Sequence, residues 1–486
     1  MKILSIDQVK SAVQALLKNN RQVLEISRAI AVQGGRVLLV GGAVRDLLLG
    51  IAVKDLDIEV HNLSMPELEK ILRHFGPVSA VGKAYGVLRL HGLDVDWSLP
   101  RADQAGRKPT VSIDPHMKIA DAFARRDLTI NAMGIDLITD ELVDPFDGRS
   151  DLEHRILRAP DIRLFVEDPL RFFRVMQFIS RFAMHPDAQL TEVCKSMDLS
   201  GVSRERIETE FDKMLLRSER PSLGLRWLHD IGRLSGILPE LAATVGVVQG
   251  ANWHPEGDVF EHLMQALDAA AALPVRTQNF KPTDSWLDLL VYDDTNQRLI
   301  GLYAALCHDL GKATTTRITT EKITSYGHAQ AGVPLATRML KRITNRKELI
   351  DTVCTLVNHH MHPLQLIKDK SKPPAFKRLA HALAPHVTIA MLVRLLVADR
   401  LGRNAAKGTP LTIAQAPLDD VGEFVAQCMR LRLDHGPETP VLQGRDLLDA
   451  VGSGPHLGAL LKKAYRIQIE EGVIDKDELI KRVLKA

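Results

Sequence analysis

Cysteine is scarce: four in 486 residues, at Cys194, Cys307, Cys354 and Cys428, with no paired metal-ligand spacing among them. That excludes a cysteine-built metal cage and suits a reducing compartment, where thiols act as small buried hydrophobes. Long apolar runs are missing too; none approaches the ~20 residues of a membrane-spanning helix. The N-terminus lacks the basic, apolar and small-residue progression of a signal peptide. These absences predict a soluble, cytoplasmic protein with no membrane partner. Charge of one sign is also lacking, since 63 Lys and Arg against 60 Asp and Glu leave a formal net charge of +3. A nucleic-acid partner therefore needs a local basic face rather than a basic average. There is no internal repeat and no low-complexity tract. With 45% hydrophobic and 25% charged residues the composition is that of a globular protein. A chain this long exceeds one core, so about two to four domains are expected.

What is there begins with VLLVGGAVRDLLLGIAVKDLDIEV, Val37 to Val60. The apolar run Val37 to Val40 reads as a buried strand. Gly41 and Gly42 allow a tight turn and a close backbone approach to a ligand. A helical segment follows, with Arg45 and Asp46 near its start, Leu47, Leu48 and Leu49 on its buried face, and Gly50 at its end. A second strand, Leu56 to Val60, carries Asp55, Asp57 and Glu59. Period-two alternation puts Asp55 and Asp57 on one face, roughly 6–7 Å apart. Two carboxylates at that spacing can share divalent cations for an in-line phosphoryl displacement. An acid-x-acid triplet alone is usually solvated charge. Behind a strand, two glycines and a helix, it sits where a triphosphate is cupped at a helix N-terminus. GGAVRDLLLG followed by DLD closely resembles the head of the class II tRNA nucleotidyltransferase and bacterial poly(A) polymerase family. The resemblance implies Mg²⁺ on Asp55 and Asp57, and Gly42 and Arg45 among the nucleotide-binding residues.

Met65 to Phe75 reads as a helix beyond the N-cap Ser64. Strands Val78–Val81, Gly86–Leu90 and Asp94–Leu99 bring the head to a small mixed sheet of about five strands. Within the resemblance, VGKAYGVLRL (Val81 to Leu90) looks more like a CCA-adding enzyme than a poly(A) polymerase. In LDVDWSLPR the resemblance places a third catalytic carboxylate at Asp96, while Asp94 reads as an exposed strand residue. Arg101 to Ile119 is polar and irregular, with Gly106, Pro109 and Pro115 as breakers. In the family this loop is associated with adding the terminal A, and its full length implies complete CCA addition. ARRDLTINAMGID (Ala124 to Asp136) matches the family's basic motif. Arg125 and Arg126 suit phosphate and ribose oxygens, and Asp127 suits either a guanidinium or a ribose hydroxyl. Asp147-Gly148 makes a tight turn with Asp151 as N-cap, in a region that is hinge-like in the family.

VEDPLRFFRVMQF (Val166 to Phe178) sets Asp168 and Arg171 three apart, on one side of a helix. Cytosine presents an amino donor beside a ring-nitrogen acceptor, and adenine presents the same pair. A carboxylate and an arginine suit both bases, whereas uracil and guanine reverse both positions. The resemblance makes Asp168, Arg171 and Arg174 nucleotide-binding, so the protein itself would act as template. Val202 to Arg217 reads as helical with Ser203 as N-cap, and helices dominate beyond it. Arg204, Arg206, Lys213, Arg217 and Arg220 are candidates for a tRNA-facing surface.

A second constellation begins near His254. It holds His262, His308-Asp309 in LCHDLGK, His328 in YGHAQAG, His359-His360 and Asp399 in ADRLGR. Histidines and aspartates recurring among apolar helical segments are what a metal site built from several helices requires. The pattern resembles the HD superfamily of metal-dependent phosphohydrolases. By that resemblance His262, His308, Asp309 and Asp399 are primary ligands of a divalent metal (Mg, Mn or Ni), with His328 and His359 accessory. Such a centre activates water for attack on a cyclic phosphate or a monoester. The tail, Val441 to Gly472, breaks at Gly454-Pro455 before a helix carrying Lys462, Lys463 and Arg466.

The expected fold is α+β. A polymerase-beta-like nucleotidyltransferase head with its N-terminal helix spans 1–155, a helical neck and body 156–250, an HD domain 251–405 and a helical tail 406–486. The expected activity is template-independent CCA addition to the tRNA 3′ end from CTP and ATP. The rivals are a poly(A), CC-only or A-only enzyme of the same family, and a chain acting chiefly as an HD phosphohydrolase with an RNA-binding head.

Overall fold

The computed structural model describes residues 3–53, 55–81, 86–104, 110–283, 285–434 and 436–485. The chain forms two compact units, Met1–Val202 and Ser203–Ala486. The first opens with helices Ile6–Asn19 and Arg21–Val32 rather than one helical region. The break falls at Asn20 (φ −122°, ψ 58°), whose backbone N–H and side-chain amide turn back to the Leu16 carbonyl. Val9, Val13 and Leu17 of one helix and Val23, Ile26 and Ile30 of the other are buried, as amphipathic spacing requires.

Nine strands follow in this unit's head: β1 Arg36–Val40, β2 Leu56–His61, β3 Val78–Val81, β4 Val87–Leu90, β5 Val95–Ser98, β6 Arg101–Gln104, β7 Thr110–Ile113, β8 Gly134–Asp136 and β9 Leu142–Val143. Seven form a mixed sheet in the order β3-β4-β5-β2-β1-β8-β9. The β2–β5 pair is parallel; the other five pairs are antiparallel. The five expected strands are all present. The segments β8 and β9 are too short, at three and two residues, to leave a periodic signal. The stretch expected to be irregular instead contains the antiparallel ribbon β6–β7. The VGKAYG cue at 82–85 and the loop tip at 105–109 lie outside the described residues.

The helix Gly42–Leu48 leaves the end of β1, and Leu49 caps it before Gly50 (φ +67°). Ser64 and Glu67 form a reciprocal capping box at the helix Met65–Arg73. Asp147, left-handed at φ 56°, starts the helix Gly148–His154. Asp151 is therefore inside that helix, not its N-cap, and accepts from Thr129 Oγ1 at 2.6 Å. The helix Leu170–Phe182 buries nine of its side chains, among them Phe172, Phe173 and Phe178.

Among its described residues the second unit is helical apart from a ribbon of Arg317–Ile318 and Ile323–Thr324. Helices Val259–Ala272, Thr295–Cys307, His328–Ile343, Lys347–His359 and Ile389–Leu401 pack on one another. Val259–Ala272 is buried on every side, the mark of a core helix. The tail has its own core of Leu442, Leu447, Leu460, Ala464, Leu479 and Val483. All four cysteines are free, and no described helix is long and apolar enough to cross a membrane.

Gly148 packs so closely that a Cβ there would lie 2.2 Å from the Thr129 carbonyl oxygen. Gly148→Ala is expected to destabilise the first unit by about 1–3 kcal/mol, read as a lowered midpoint in thermal or urea unfolding. An unchanged midpoint contradicts that packing.

Candidate active sites

The parallel register of β2 and β5 sets Asp57 beside Asp96, on strands about 4.8 Å apart. Asp55, exposed, directly precedes β2 on the face that Asp57 continues. Asp94, also exposed, directly precedes β5. Glu59 comes next on the Asp57 face, but it is buried and held by His61 Nε2 at 3.0 Å and Arg126 Nη2 at 3.4 Å. Asp96 accepts from Arg89, its antiparallel neighbour on β4. The Asp57 carboxyl is raised from its ordinary value. Lost solvation raises it first, and the like charges of Asp96 and Asp55 add to this against the pull of Arg126. This is an oxygen-only donor set whose carboxylates outnumber the arginines beside them, which hard divalent cations fit. Among the described residues, however, every group of three donor side chains converging within 4.8 Å lies in the second unit.

Beside these strands, Gly41 adopts φ +73°, and a Cβ there would meet Arg126 Nη1 at 2.7 Å. That backbone conformation favours glycine, and any side chain there would also have to displace the Arg126 guanidinium. Gly42 follows as the first residue of its helix. Arg45, expected to reach phosphate, turns inward instead. It is 5% exposed, donates to Asp46 Oδ1 at 2.7 and 2.9 Å and to Asn131 Oδ1, and lies over the Phe178 and Phe182 rings. Asn131 in turn donates to Asp127 at 2.9 Å, and Arg174 Nε donates to the other Asp127 oxygen at 2.6 Å. Asp127 thus holds a guanidinium, one of its two expected roles. Burial opposes its charge, yet Arg174, Asn131 and Arg171 keep its carboxyl below the ordinary range.

Asp168 lies just before the helix Leu170–Phe182 and accepts from the Leu170 N–H at 3.1 Å. Arg171 donates to the Leu164 carbonyl at 2.6 Å and to the Arg125 carbonyl. Its guanidinium therefore closes the RRD loop onto the neck helix rather than standing open beside Asp168.

In the second unit, His262 (on Val259–Ala272), His308 (capping Thr295–Cys307) and Asp399 (on Ile389–Leu401) converge as one donor group. His262 Nε2 is 3.1 Å from Asp399 Oδ1, 3.5 Å from Asp309 Oδ2 and 3.2 Å from His308 Nε2. Asp309, His328 and His360 form a second group, with His328 Nε2 3.2 Å from Asp309 Oδ1. Asp309 therefore faces both groups. It is His360 and not His359 that enters: His359, at the same helix end, points to Asn358 and His362. Burial disfavours ionised Asp309 and Asp399, but Lys312 and Arg403 respectively, with nearby imidazoles, hold both well below the usual carboxylate range. Buried histidines and carboxylates converging from five helices and their ends are a donor set that could hold a divalent metal ion.

Several participants escaped the sequence reading. Glu256 is one: Oε1 lies 2.8 Å from both His254 Nδ1 and His262 Nδ1, the latter contact lying outside hydrogen-bond alignment. Burial pushes the His254 imidazole down to about 4, against the pull of Glu256. Asn131, Lys312 and Arg403 are the others. Each stood in a recognised motif, four residues after Asp127, three after Asp309 and four after Asp399, within reach of the carboxylate it holds.

Residues 37–158 match the family described as Poly A polymerase head domain, 189–244 the probable RNA and SrmB-binding site of polymerase A, and 259–401 the HD domain. A "Multifunctional CCA protein" of Stenotrophomonas maltophilia (strain K279a) is 32% identical over 443 residues, covering 88% of this chain and 98% of the relative. One of Paraburkholderia phymatum is 32% identical over 386 residues, covering 76% and 84%. Among solved structures, a Thermotoga maritima CCA-adding enzyme complexed with tRNA has a TM-score of 0.57 at 18% identity, covering 100% of this chain and 99% of that one. A Bacillus stearothermophilus CCA-adding enzyme in complex with CTP has a TM-score of 0.59 at 19% identity, covering 96% and 98%. At such identities the two structures speak for the fold.

Asp127→Asn is expected to cost about 1.5–3 kcal/mol by removing the charge that Arg174 holds. Because the folded carboxyl is depressed, its contribution is present above the unfolded carboxylate pKa and lost as pH falls through the folded value. Urea unfolding across pH should show the variant's deficit at neutral pH shrinking in acid; a deficit independent of pH contradicts this.

Proposed function

The chain belongs to the multifunctional CCA protein family, and from that membership we propose how it adds C, C and A from CTP and ATP to the 3′ end of tRNA, without a nucleic-acid template and with release of pyrophosphate. The observation that carries the activity is the match over 98% of a multifunctional CCA protein's own length. We assign these regions to 1–155 for the head, 156–250 for neck and body, 251–405 for the HD domain and 406–486 for the tail. A cytoplasmic setting agrees with four free thiols.

Asp55, Asp57 and Asp96 form the catalytic triad of carboxylates. Mg²⁺ held there supplies neutralisation of the triphosphate and a lowered pKa for the attacking 3′-hydroxyl. Gly42 brings backbone close to the triphosphate, with no Cβ in the way. Arg125 and Arg126 take phosphate and ribose oxygens, Arg126 being braced by Glu59. The base is read by Asp168 accepting from the amino group and Arg171 donating to the ring nitrogen, a pairing that cytosine and adenine satisfy and uracil and guanine oppose. Arg171 reaches the base by exchanging its Leu164 and Arg125 carbonyls for the ring acceptor. Arg174, tied to Asp127, and Arg45, tied to Asn131, hold the neck helix against the head so that this exchange happens in register. In the HD region, His262, His308, Asp309 and Asp399, with His328 and His360 beside them, form a second centre. It takes Mg²⁺, Mn²⁺ or Ni²⁺ and hydrolyses phosphate esters.

Asp57→Ala is expected to lower nucleotide transfer by about 10²-fold or more with unchanged circular dichroism; near-normal turnover contradicts the carboxylate assignment. Arg171→Ala should raise incorporation of UMP and GMP relative to CMP and AMP in single-nucleotide assays. Unchanged selectivity contradicts the base-reading role.

A further inference from the structure

The HD centre carries two cations of its own. Lys312 is buried, and its Nζ has three acceptors: Asp309 Oδ2 at 2.7 Å, Gln249 Oε1 at 2.8 Å and His254 Nε2 at 3.4 Å. Arg403 grips Asp399, with Nη2 2.7 and 2.8 Å from the two carboxylate oxygens and Nε at 3.2 Å. The oxygens these cations hold are also the ones turned to the imidazoles. Asp309 Oδ2 is 3.5 Å from His262 Nε2 and 3.4 Å from His308 Nε2. Asp399 Oδ1 is 3.1 Å and 3.9 Å from the same two atoms. A divalent ion among these four side chains must share both carboxylates with an ammonium and a guanidinium.

Charge decides which ligand such a centre suits. With the imidazoles neutral, as metal ligation requires, the buried carboxylates of Asp309, Asp399 and Glu256 outnumber Lys312 and Arg403 by one, so a bound divalent ion leaves the centre net positive. An electropositive pocket holding a forked guanidinium and a point ammonium is complementary to a phosphate dianion.

We propose that Lys312 and Arg403 are the phosphate-binding residues of the HD centre, neutralising Asp309 and Asp399 when the metal is absent and turning to the phosphate of an ester substrate when it is bound. The inference rests on the reading of this centre as a metal-dependent phosphohydrolase. A role as counter-ions alone is the competing explanation, and the two differ in sign. Removing either cation removes a repulsion from the metal and a donor from the phosphate, so the two affinities must move in opposite directions.

The test uses the full-length protein with Co²⁺, whose visible absorption reports imidazole coordination and is weak at a carboxylate-only head site. Inorganic phosphate is then titrated into the Co²⁺-loaded protein and followed in the same band. Lys312→Met and Arg403→Gln are each expected to bind Co²⁺ about tenfold more tightly or better and phosphate about tenfold more weakly or worse. Arg403→Lys keeps the charge and loses the fork, so Co²⁺ affinity should hold while phosphate affinity drops. It also carries the test if Arg403→Gln does not fold. Phosphate affinity unchanged in the variants, or both affinities falling together, would overturn the proposal. Wild-type protein that gives no imidazole-bound Co²⁺ spectrum would instead overturn the metal-centre reading, and this proposal with it.

Discussion

The parallel pairing of β2 with β5 is the constraint on which the head depends. It is the single parallel contact in an otherwise antiparallel sheet, and it brings Asp57 level with Asp96. Carboxylates side by side repel, and that repulsion adds to the lost solvation that chiefly raises Asp57. A strand register held by buried residues such as Ile58, Val60, Val95 and Trp97 keeps the charges together regardless, because a one-residue slip would turn those apolar side chains outward. The fold's hydrophobic order thus maintains an electrostatic tension that cations relieve.

The same logic recurs in both units. Arg89 sits on Asp96, Arg126 on Glu59, Arg174 on Asp127, Lys312 on Asp309 and Arg403 on Asp399. Each of these carboxylates at or near a candidate site has a cationic side chain from its own unit. Buried charge is tolerable only when paired, so such partners let ligand-ready carboxylates be folded in before any ligand arrives. In the head, the chain of contacts Asp46–Arg45–Asn131–Asp127–Arg174 extends this from single pairs to a continuous link between the glycine turn and the neck helix.

Much of this was legible in the sequence, for physical reasons. Five strands of four to six residues showed their apolar runs, and GGAVRD, RRD and EDPLR marked segments of the first unit that the fold ties together, Arg45 to Asn131, Arg174 to Asp127 and Arg171 to the Arg125 carbonyl. What stayed hidden depended on distant partners. An arginine after two glycines reads as a phosphate ligand, and nothing local shows that Phe178 and Phe182 roof it over. His359 and His360 are equivalent in spacing, and only the packing of the helix end selects His360. The break at Asn20 is invisible because apolar positions continue at helical spacing on both sides. Lys312 and Arg403 could have been found, since each stands three or four residues after an aspartate already singled out.

The most direct test of CCA addition is extension of a tRNA transcript that ends at its discriminator base. Purified full-length protein, Mg²⁺, CTP and ATP would be combined and the products resolved to single nucleotides. Growth by three residues and then a halt, with no further extension of a transcript already ending in CCA, is the predicted result. A stop after two residues, an unlimited ladder of A, or no extension at all would contradict it.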